Sequence, residues 1–257
     1  IMKQPLLHIF LKKIKLFKVA KLIYFFLNKL EIIKKYKTST GTYYLPFFAF
    51  KDGIKNAITN DKIFDEHIFD VAKNYISENS IVIDAGSNYG QYTILFSKAS
   101  KNVEVYSFEA NKFIYDILKK NIEINNSNAK SFHVLLGNFD KKIINIEKVK
   151  LSTADYGSQS FKITSKIDSE KIQALKIDDI DFKKKISLFK IDVEGMDYEV
   201  LQGAEKTIKA HQMPIIFEFI KEKNQKSLED YMNLIKSFNY YVHSKIDETN
   251  YLVKYKN

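Results

Sequence analysis

The chain contains no cysteine, only three prolines and only eight glycines among its 257 residues. The absence of cysteine excludes disulfides, thiolate metal sites and cysteine nucleophiles, and it suits a reducing compartment. We therefore expect a cytoplasmic protein. Because glycines are scarce, two of them close together in one turn indicate a backbone that lies against a ligand.

Long hydrophobic runs are also missing. Residues 5–37 have apolar side chains at helical spacing, which predicts a helix, but lysines interrupt it throughout. Its longest charge-free piece, Leu22–Asn28, is far shorter than the roughly 20 residues that span a membrane, and the lysines also disrupt the apolar core of a signal peptide. The helix can pack on the domain or on a second copy in a homodimer, lie on anionic lipid as a peripheral membrane contact, or act as a mobile lid.

Positive charge dominates, with a formal net charge of +10. Lysine, isoleucine and asparagine are frequent throughout, so the basicity either reflects composition or attracts anionic partners such as nucleotide-sugars and membranes. Basic and aromatic residues form no recognisable RNA-binding module, so we expect no nucleic-acid partner. With 45% hydrophobic residues, the length suits one domain over residues 60–257, preceded by an extension over residues 1–59.

The central motif is I-V-I-D-A-G-S-N-Y-G-Q-Y-T at residues 81–93. Its apolar run predicts a buried parallel strand that ends in Asp84, and Gly86 and Gly90 follow in a turn before a helical pattern resumes. The order is similar to the dinucleotide-binding motif, but Asp84 stands where that motif has its first glycine. An acid there repels a pyrophosphate and attracts an ammonium, which favours an amino-acid nucleoside over a dinucleotide.

The next strand, predicted over Val103–Phe108, also ends in an acid. Glu109 follows the glycine turn by about 20 residues, the separation at which such folds offer a carboxylate to ribose hydroxyls. A helix over 113–125 and a third strand over 131–136 come next. Gly137 and Asn138 at the end of the third strand are placed where an adenine ring can be recognised.

The pattern changes over residues 140–176, where short β-prone runs replace helices, and we interpret this part as an insertion. Its polar loop contains Tyr156, Ser158 and Ser160. The loop can reach over the carboxyl edge of the sheet, or it can be an ordinary solvent-exposed turn.

Acidic residues also accompany two later strands. The strand over 187–191 is followed by Asp192 and Glu194, and the strand over 215–219 contains Glu218. A charge such as that of Glu218 is costly within an apolar run unless it is paired, metal-bound or at the sheet edge. Open α/β sheets bind ligands at the carboxyl ends of their strands, so these acids are either ligand-binding groups or helix caps. A helix over 198–209 separates the two strands, and a terminal antiparallel hairpin completes the prediction.

This succession of strand, glycine turn, helix and acid-tipped strand resembles the class I methyltransferase fold, which binds S-adenosylmethionine (SAM). The motifs I-D-A-G-S-N-Y-G-Q-Y-T and L-F-K-I-D-V-E-G-M-D-Y-E-V-L-Q-G-A resemble the FkbM family of methyltransferases, with further similarity in S-F-E-A-N, L-L-G-N, G-S-Q-S and I-I-F-E-F. The resemblance covers residues 60–221. It implies an α/β, Rossmann-like fold with a mostly parallel seven-stranded sheet, to which the N-terminal helical extension and the β insertion are added.

The resemblance also implies a cofactor site. Asp84 would lie near the methionine ammonium of SAM, Glu109 would bind the ribose hydroxyls, and Asn138 or its neighbours would bind the adenine. The implied cofactor-binding residues are Asp84, Gly86, Ser87, Asn88, Gly90, Tyr92, Thr93, Glu109, Ala110, Asn111, Gly137, Asn138 and Asp192. Ser87 and Ala110 replace the alanine and proline typical of the family, and neither change removes a needed functional group.

Methyl transfer to a hydroxyl needs a positioned acceptor and a group that takes its proton. The candidate catalytic residues are Asp192, Glu194, Glu218 and His243. Related sugar O-methyltransferases hold a divalent cation with carboxylates, so Asp192 and Glu218 are candidate Mg²⁺ ligands, with metal-free general-base catalysis as the alternative. We assign Tyr156, Ser158, Ser160 and Lys190 to the acceptor side.

The resemblance implies a SAM-dependent O-methyltransferase. We expect it to act on a sugar hydroxyl of a nucleotide-linked or glycan precursor of a bacterial surface polysaccharide, such as capsule. Methylation of a lipid or secondary metabolite at a membrane surface is the alternative, and RNA methylation is less favoured.

Overall fold

The computed structural model describes residues 32–49, 51–140, 142–147, 162–166 and 168–256. Its strands are β1 (Ile33–Lys37), β2 (Thr42–Pro46), β3 (Ile81–Ala85), β4 (Glu104–Glu109), β5 (Ala129–His133), β6 (Leu135–Leu136), β7 (Ile143–Glu147), β8 (Ser169–Leu175), β9 (Ile186–Ile191), β10 (Ile215–Glu218), β11 (Tyr240–Lys245) and β12 (Asn250–Tyr255). Its α-helices are α1 (Gly53–Thr59), α2 (Glu66–Ala72), α3 (Gln91–Ala99), α4 (Lys112–Ile124), α5 (Asp197–Gln202), α6 (Glu205–His211) and α7 (Leu228–Ser237).

Seven strands form the central sheet, in the order β11-β12-β10-β9-β3-β4-β5. All neighbouring pairs from β10 to β5 are parallel, and β12 is antiparallel to both of its neighbours. This arrangement confirms the predicted class I methyltransferase fold and its terminal hairpin. The chain leaves β3 toward β4 on one side and β9 toward β10 on the other, so the strand order reverses between β3 and β9. Open α/β sheets bind ligands at the carboxyl ends of such a strand pair.

Side chains of β3 alternate between two hydrophobic clusters, as expected for an extended chain covered on both faces. Ile81 and Ile83 lie in a cluster with residues of α5, α6 and α7, whereas Val82 lies in a second cluster with residues of α2 and α3. Every residue of β3 is buried. The continuous apolar run that predicted this strand therefore reflects helices on both sides of it.

A hairpin of β1 and β2 precedes the sheet and packs on α4. Asn121 accepts a hydrogen bond from Tyr44 N at 2.6 Å, and its amide donates to the carbonyls of Tyr44 at 3.1 Å and Tyr89 at 2.8 Å. This hairpin lies within the predicted N-terminal extension of residues 1–59. The predicted N-terminal helix is wrong over Ile33–Lys37, which pair with β2, and its residues 5–31 lie outside the described residues.

Strands β7 and β8 of the predicted β insertion form a small sheet with β6, which lies before the insertion, at the end of the range predicted as the third strand. β8 runs parallel to β6 and antiparallel to β7. From the run predicted over 160–163, Ile163 makes an isolated bridge with Ile146. The loop residues Tyr156, Ser158 and Ser160 lie outside the described residues.

The helix predicted over 198–209 is divided into α5 and α6. The carboxylate of Asp178 accepts hydrogen bonds from Lys206 N at 3.0 Å and Thr207 N at 2.8 Å, which gives α6 an amino-terminal cap of its own. Helix α2 begins at Glu66, after Asp65 in a left-handed conformation. In the ranges that the structure covers, no helix has the length and apolar character needed to cross a bilayer.

Replacing Asn121 by leucine should destabilise the protein by roughly 2–4 kcal/mol, because backbone groups of Tyr44 and Tyr89 lose their hydrogen-bond partners in a buried place. The free energy of unfolding in urea measures the effect. Asn74→Leu, at an exposed asparagine, is the matched control and should change stability by less than about 0.5 kcal/mol. Equal effects of the two substitutions would contradict the role of Asn121.

Candidate active site

A cavity of about 210 Å³ lies at the carboxyl ends of β3, β4, β9 and β10, where the strand order reverses. Part of its wall comes from the segments that follow these strands, and part from the chain that precedes β3. Its lining residues are Asp52, Gly53, Ile54, Phe64, Asp65, Gly86, Asn88, Phe108, Glu109, Ala110, Asn111, Ile114, Val134, Leu135, Leu136, Asp192, Val193, Glu194, Glu218 and Lys223. The structure thus brings together acids from three predicted strand ends: Glu109, the pair Asp192 and Glu194, and Glu218.

The glycine turn after β3 is held by contacts within the protein. Gly86 has φ +80°, and a Cβ there would lie 1.8 Å from the carbonyl oxygen of Asp192. At Gly90, with φ +85°, a Cβ would lie 2.6 Å from a methyl carbon of Leu118. Ser87 fixes the turn, since its hydroxyl donates to the Asp84 carbonyl at 2.7 Å. Close packing of β9 and α4 therefore requires both glycines.

Asp84 lies behind this turn and is fully buried. Its Oδ2 accepts a hydrogen bond from the hydroxyl of Thr93 at 2.6 Å. Its Oδ1 is buried without a hydrogen-bond partner among the described residues. Burial raises the pKa of Asp84, and the positive charge of Lys190 opposes that shift. Thr93, predicted as a cofactor contact, does not line the cavity, and its hydrogen bond orients the Asp84 carboxyl group instead.

Glu109 lies at the end of β4 and accepts two backbone hydrogen bonds. Its Oε1 accepts from Asn111 N at 2.7 Å, and its Oε2 accepts from Asn88 N at 3.1 Å. Burial raises the pKa of Glu109 to about 7, although these backbone bonds favour the carboxylate. The glycine turn and the start of α4 are thereby joined to one carboxyl group that faces the cavity.

Asn111 caps α4, because its Oδ1 accepts hydrogen bonds from Phe113 N at 3.0 Å and Ile114 N at 3.3 Å. Its Nδ2 is a buried donor without a partner among the described residues. Apolar lining residues lie on the same side of the cavity: Phe108, Ile114, Val134, Leu135 and Leu136. The predicted adenine contacts Gly137 and Asn138 do not line the cavity, and the N–H of Gly137 donates to the Leu175 carbonyl instead.

Three of the four catalytic candidates line the opposite side of the cavity. Lys190 Nζ lies 3.0 Å from Asp192 Oδ2, and Glu194 is paired with Lys223. The carboxyl group of Glu218 accepts no hydrogen bond from any residue that the structure describes. Burial raises the pKa of Glu218 to about 7, and repulsion from Asp192 adds to the shift. Glu218 can therefore exchange a proton near neutral pH.

Other predicted residues have different positions. His243 is exposed on the edge strand β11, 3.3 Å from Lys254 Nζ, and does not reach the cavity. Lys190, assigned to the acceptor side, is buried beneath Asp192. Tyr92 supports the wall, since its hydroxyl donates to the Asp65 carbonyl at 2.8 Å. Ala110 lines the cavity as expected from its place after Glu109.

Sequence reasoning missed three charged lining residues: Asp52, Asp65 and Lys223. The fully buried Asp52 accepts a hydrogen bond from the Tyr89 hydroxyl at 2.7 Å and caps α1 through Lys55 N at 2.8 Å. An acid directly before a helical pattern is a recognisable cap signal, so Asp52 could have been noticed as a cap. Contact of Asp52 with a cavity whose lining includes Gly86, 34 positions away, and Glu218, 166 positions away, has no local signal.

The donor set does not fit the predicted Mg²⁺ site. In the ranges covered by the structure, no group of three or more His, Cys, Asp or Glu side chains is arranged to hold a metal ion. Asp192 is already bound to Lys190, and Glu194 is already bound to Lys223. We therefore derive no catalytic step through a metal.

The raised pKa of Glu109 predicts a specific pH dependence of stability. Between pH 4.5 and about 7 the folded protein keeps a proton on Glu109 that the unfolded chain releases. The contribution of Glu109 to the free energy of unfolding is therefore largest below pH 4.5, and it is lost as the pH rises through 7. Glu109→Gln should reduce the fall in unfolding free energy between pH 4.5 and 8 by roughly 3 kcal/mol. Urea unfolding at several pH values measures this, and an unchanged slope would contradict the assignment.

Comparison with known proteins identifies the family of this chain. Residues 84–242 match the Methyltransferase FkbM domain family. Methyltransferase sdnD of Sordaria araneosa is 25% identical over 179 residues, covering 56% of this chain and 67% of its own. Methyltransferase 1 of Beauveria bassiana is 21% identical over 164 residues, covering 56% and 65%. The crystal structure of methyltransferase FkbM from Methylobacillus flagellatus KT has 18% identity and a TM-score of 0.46, covering 70% of this chain and 44% of that one.

The chain thus spans about two thirds of the curated relatives and less than half of the FkbM chain of known structure. The matched range covers more than half of this chain and contains the glycine turn, Glu109 and the motif after β9. The chain belongs to the FkbM family of SAM-dependent methyltransferases.

Proposed function

We propose that this protein transfers the methyl group of SAM to a hydroxyl group of a sugar, either nucleotide-linked or part of a glycan precursor of a surface polysaccharide. The position of Glu218 carries the proposal. Its carboxyl group lines the cavity next to the acids that follow β9, and its pKa of about 7 suits a general base at neutral pH. Deprotonation is the step that a hydroxyl acceptor requires from the protein.

The residues on and behind the β3–β4 side of the cavity fit SAM. Behind the glycine turn, Asp84 Oδ1 is a buried acceptor that an ammonium group would satisfy, directly or through a bound water, and Asn111 Nδ2 is a buried donor in the wall. Glu109 offers carboxylate oxygens to the ribose hydroxyls, as the family resemblance implies. When bound, SAM supplies an electrophilic methyl group on a sulfonium, a leaving group that needs no proton.

Apolar residues beside Glu109 suit the adenine ring. Val134, Leu135 and Leu136 lie directly after β5 and line the cavity together with Ile114 of α4. A flat ring placed among them removes apolar surface from water, which contributes about 25 cal/mol per Å² buried. We assign the adenine to these residues in place of the predicted Gly137 and Asn138.

On the acceptor side, the protein orients a hydroxyl group and removes its proton. Glu218 takes the proton of the substrate hydroxyl. Asp192 accepts a hydrogen bond from the same substrate molecule, and Lys190 holds the Asp192 carboxylate in place. Several carboxylates in one wall can accept hydrogen bonds from adjacent hydroxyl groups, which is the reason to favour a polyhydroxylated acceptor such as a sugar. The family resemblance supports the polysaccharide context.

Glu218→Gln should reduce methyl transfer at least about 100-fold and leave the affinity for S-adenosylhomocysteine (SAH) within about threefold, because the lost carboxylate serves the acceptor. Turnover of a panel of glycosides and nucleotide-sugars is followed by mass spectrometry, in which each product gains the mass of one methylene group. In the wild-type protein, the rate should fall as the pH drops below about 7 and Glu218 becomes protonated. EDTA should leave turnover unchanged.

Glu222→Gln is the matched control, because this nearby glutamate is exposed and does not line the cavity. It should retain wild-type turnover. Near-normal turnover in Glu218→Gln would show that another group removes the proton. If the wild-type protein methylates none of the tested glycosides and nucleotide-sugars, the proposed sugar substrate is contradicted.

A further inference from the structure

A buried lysine connects the two motifs of the site. Lys190 lies on β9 directly beside Asp84 of β3, and its side chain is only 4% exposed. Asp192 lies two residues further on, the spacing that places side chains on the same side of an extended chain. Lys190 Nζ is 3.0 Å from Asp192 Oδ2. One ammonium group therefore serves carboxylates from both motifs.

The surroundings of Lys190 keep it charged. Burial by itself would lower its pKa, but attraction to Asp192 and Asp84 outweighs burial and raises the pKa above the usual value. The ring of Tyr92 lies 5.0 Å from Nζ and adds a favourable cation–π contact. Removing such a buried cation would leave two acids without their compensating charge.

Asp84 depends on this cation more than Asp192 does. Asp84 is fully buried, whereas the side chain of Asp192 is 37% exposed and can be hydrated. Among the described residues, Asp192, Glu109 and Tyr92 also lie near Asp84, and none of them carries positive charge. With both carboxyl groups ionised, Lys190, Asp84 and Asp192 would carry one excess negative charge, which a cationic ligand group near Asp84 would balance.

We propose that Lys190 is a positioning residue that keeps Asp84 ionised for the ammonium group of the cofactor, while the same lysine holds Asp192 at the cavity. The proposal rests on the placement of SAM described above. A merely structural role of Lys190 would affect binding of the whole cofactor, whereas the proposed role affects only the part that contacts Asp84. Loss of Lys190 should weaken binding of the amino-acid part of the cofactor and spare the nucleoside part.

Two ligands separate these parts. SAH carries the amino-acid ammonium, and 5′-methylthioadenosine has the same nucleoside and thioether without any amino-acid group. For Lys190→Met at pH 6.5, calorimetry should show SAH binding weakened about tenfold or more and 5′-methylthioadenosine binding changed by less than about threefold, as expected for the loss of one charge-assisted interaction. Asp84→Asn should have the same selective effect.

The two substitutions should not be additive. Once Lys190→Met has left Asp84 uncharged, adding Asp84→Asn should reduce SAH affinity by less than about threefold further. Lys130→Met is the control. Lys130 lies on β5, the outermost strand of the same sheet, and its Nζ pairs with Glu104 of the neighbouring strand β4 at 2.7 Å. It should leave both affinities at wild-type values.

Circular dichroism establishes that each variant is folded. If Lys190→Met does not fold, the double variant Lys190→Met/Asp192→Asn removes one uncompensated charge and should show the same selective loss of SAH affinity. A folded variant with the wild-type ratio of SAH to 5′-methylthioadenosine affinity would overturn the proposal. If the wild-type protein binds neither ligand, the cofactor placement fails, and this proposal fails with it.

Discussion

The parallel contact between β3 and β9 at their carboxyl ends is the constraint on which the site depends. Asp192 N donates to the Ala85 carbonyl at 3.0 Å, and the Asp192 carbonyl oxygen occupies the space that a side chain at position 86 would need. Only glycine permits this approach. Because the two strands are so close, the glycine turn after β3 and the acids that follow β9 line one cavity. A wider separation would place them in two separate sites.

Buried charge is the second determinant of the site. Burial of several carboxyl groups near one another is costly, and the protein limits this cost by pairing Glu194 with Lys223 and Asp192 with Lys190. Asp197, at the start of α5, is nearly fully buried, and burial together with repulsion from Asp192 and Glu218 raises its pKa well above the usual range. Its surroundings thus disfavour a further negative charge beside the groups that face the cavity.

Local pattern was sufficient to predict the central sheet and most of the acids at its carboxyl edge. Buried strands are continuous apolar runs, and glycines and acids mark their ends, so Asp84, Glu109 and Asp192 were identifiable from sequence. The local pattern of β1 indicates a helix because its apolar residues, Ile33 and Tyr36, are three positions apart. The segment is a strand because it pairs with β2, a contact that its own sequence does not reveal.

Non-local contacts explain the other differences. Lys190 was predicted to face the acceptor, but a residue of a central strand is covered by neighbouring strands and helices that the local sequence does not reveal. His243 follows a strand pattern like the other candidates, yet it lies on the exposed edge strand. The cavity lining from Asp52 and Asp65 comes from a segment that packs against the turn only in the folded chain.

The side chain of Asn121 joins β2 to the glycine turn, since a single amide bonds both Tyr44 and Tyr89. Neighbouring Asn125 bonds Thr42 in the same way. The hairpin is therefore attached through two polar side chains, Asn121 of α4 and Asn125 directly after it, and not through apolar contact alone. In evolutionary terms it is not a freely exchangeable module: a relative could acquire this hairpin with the same attachment only if it carried both asparagines, one on its corresponding helix and one at the end of that helix.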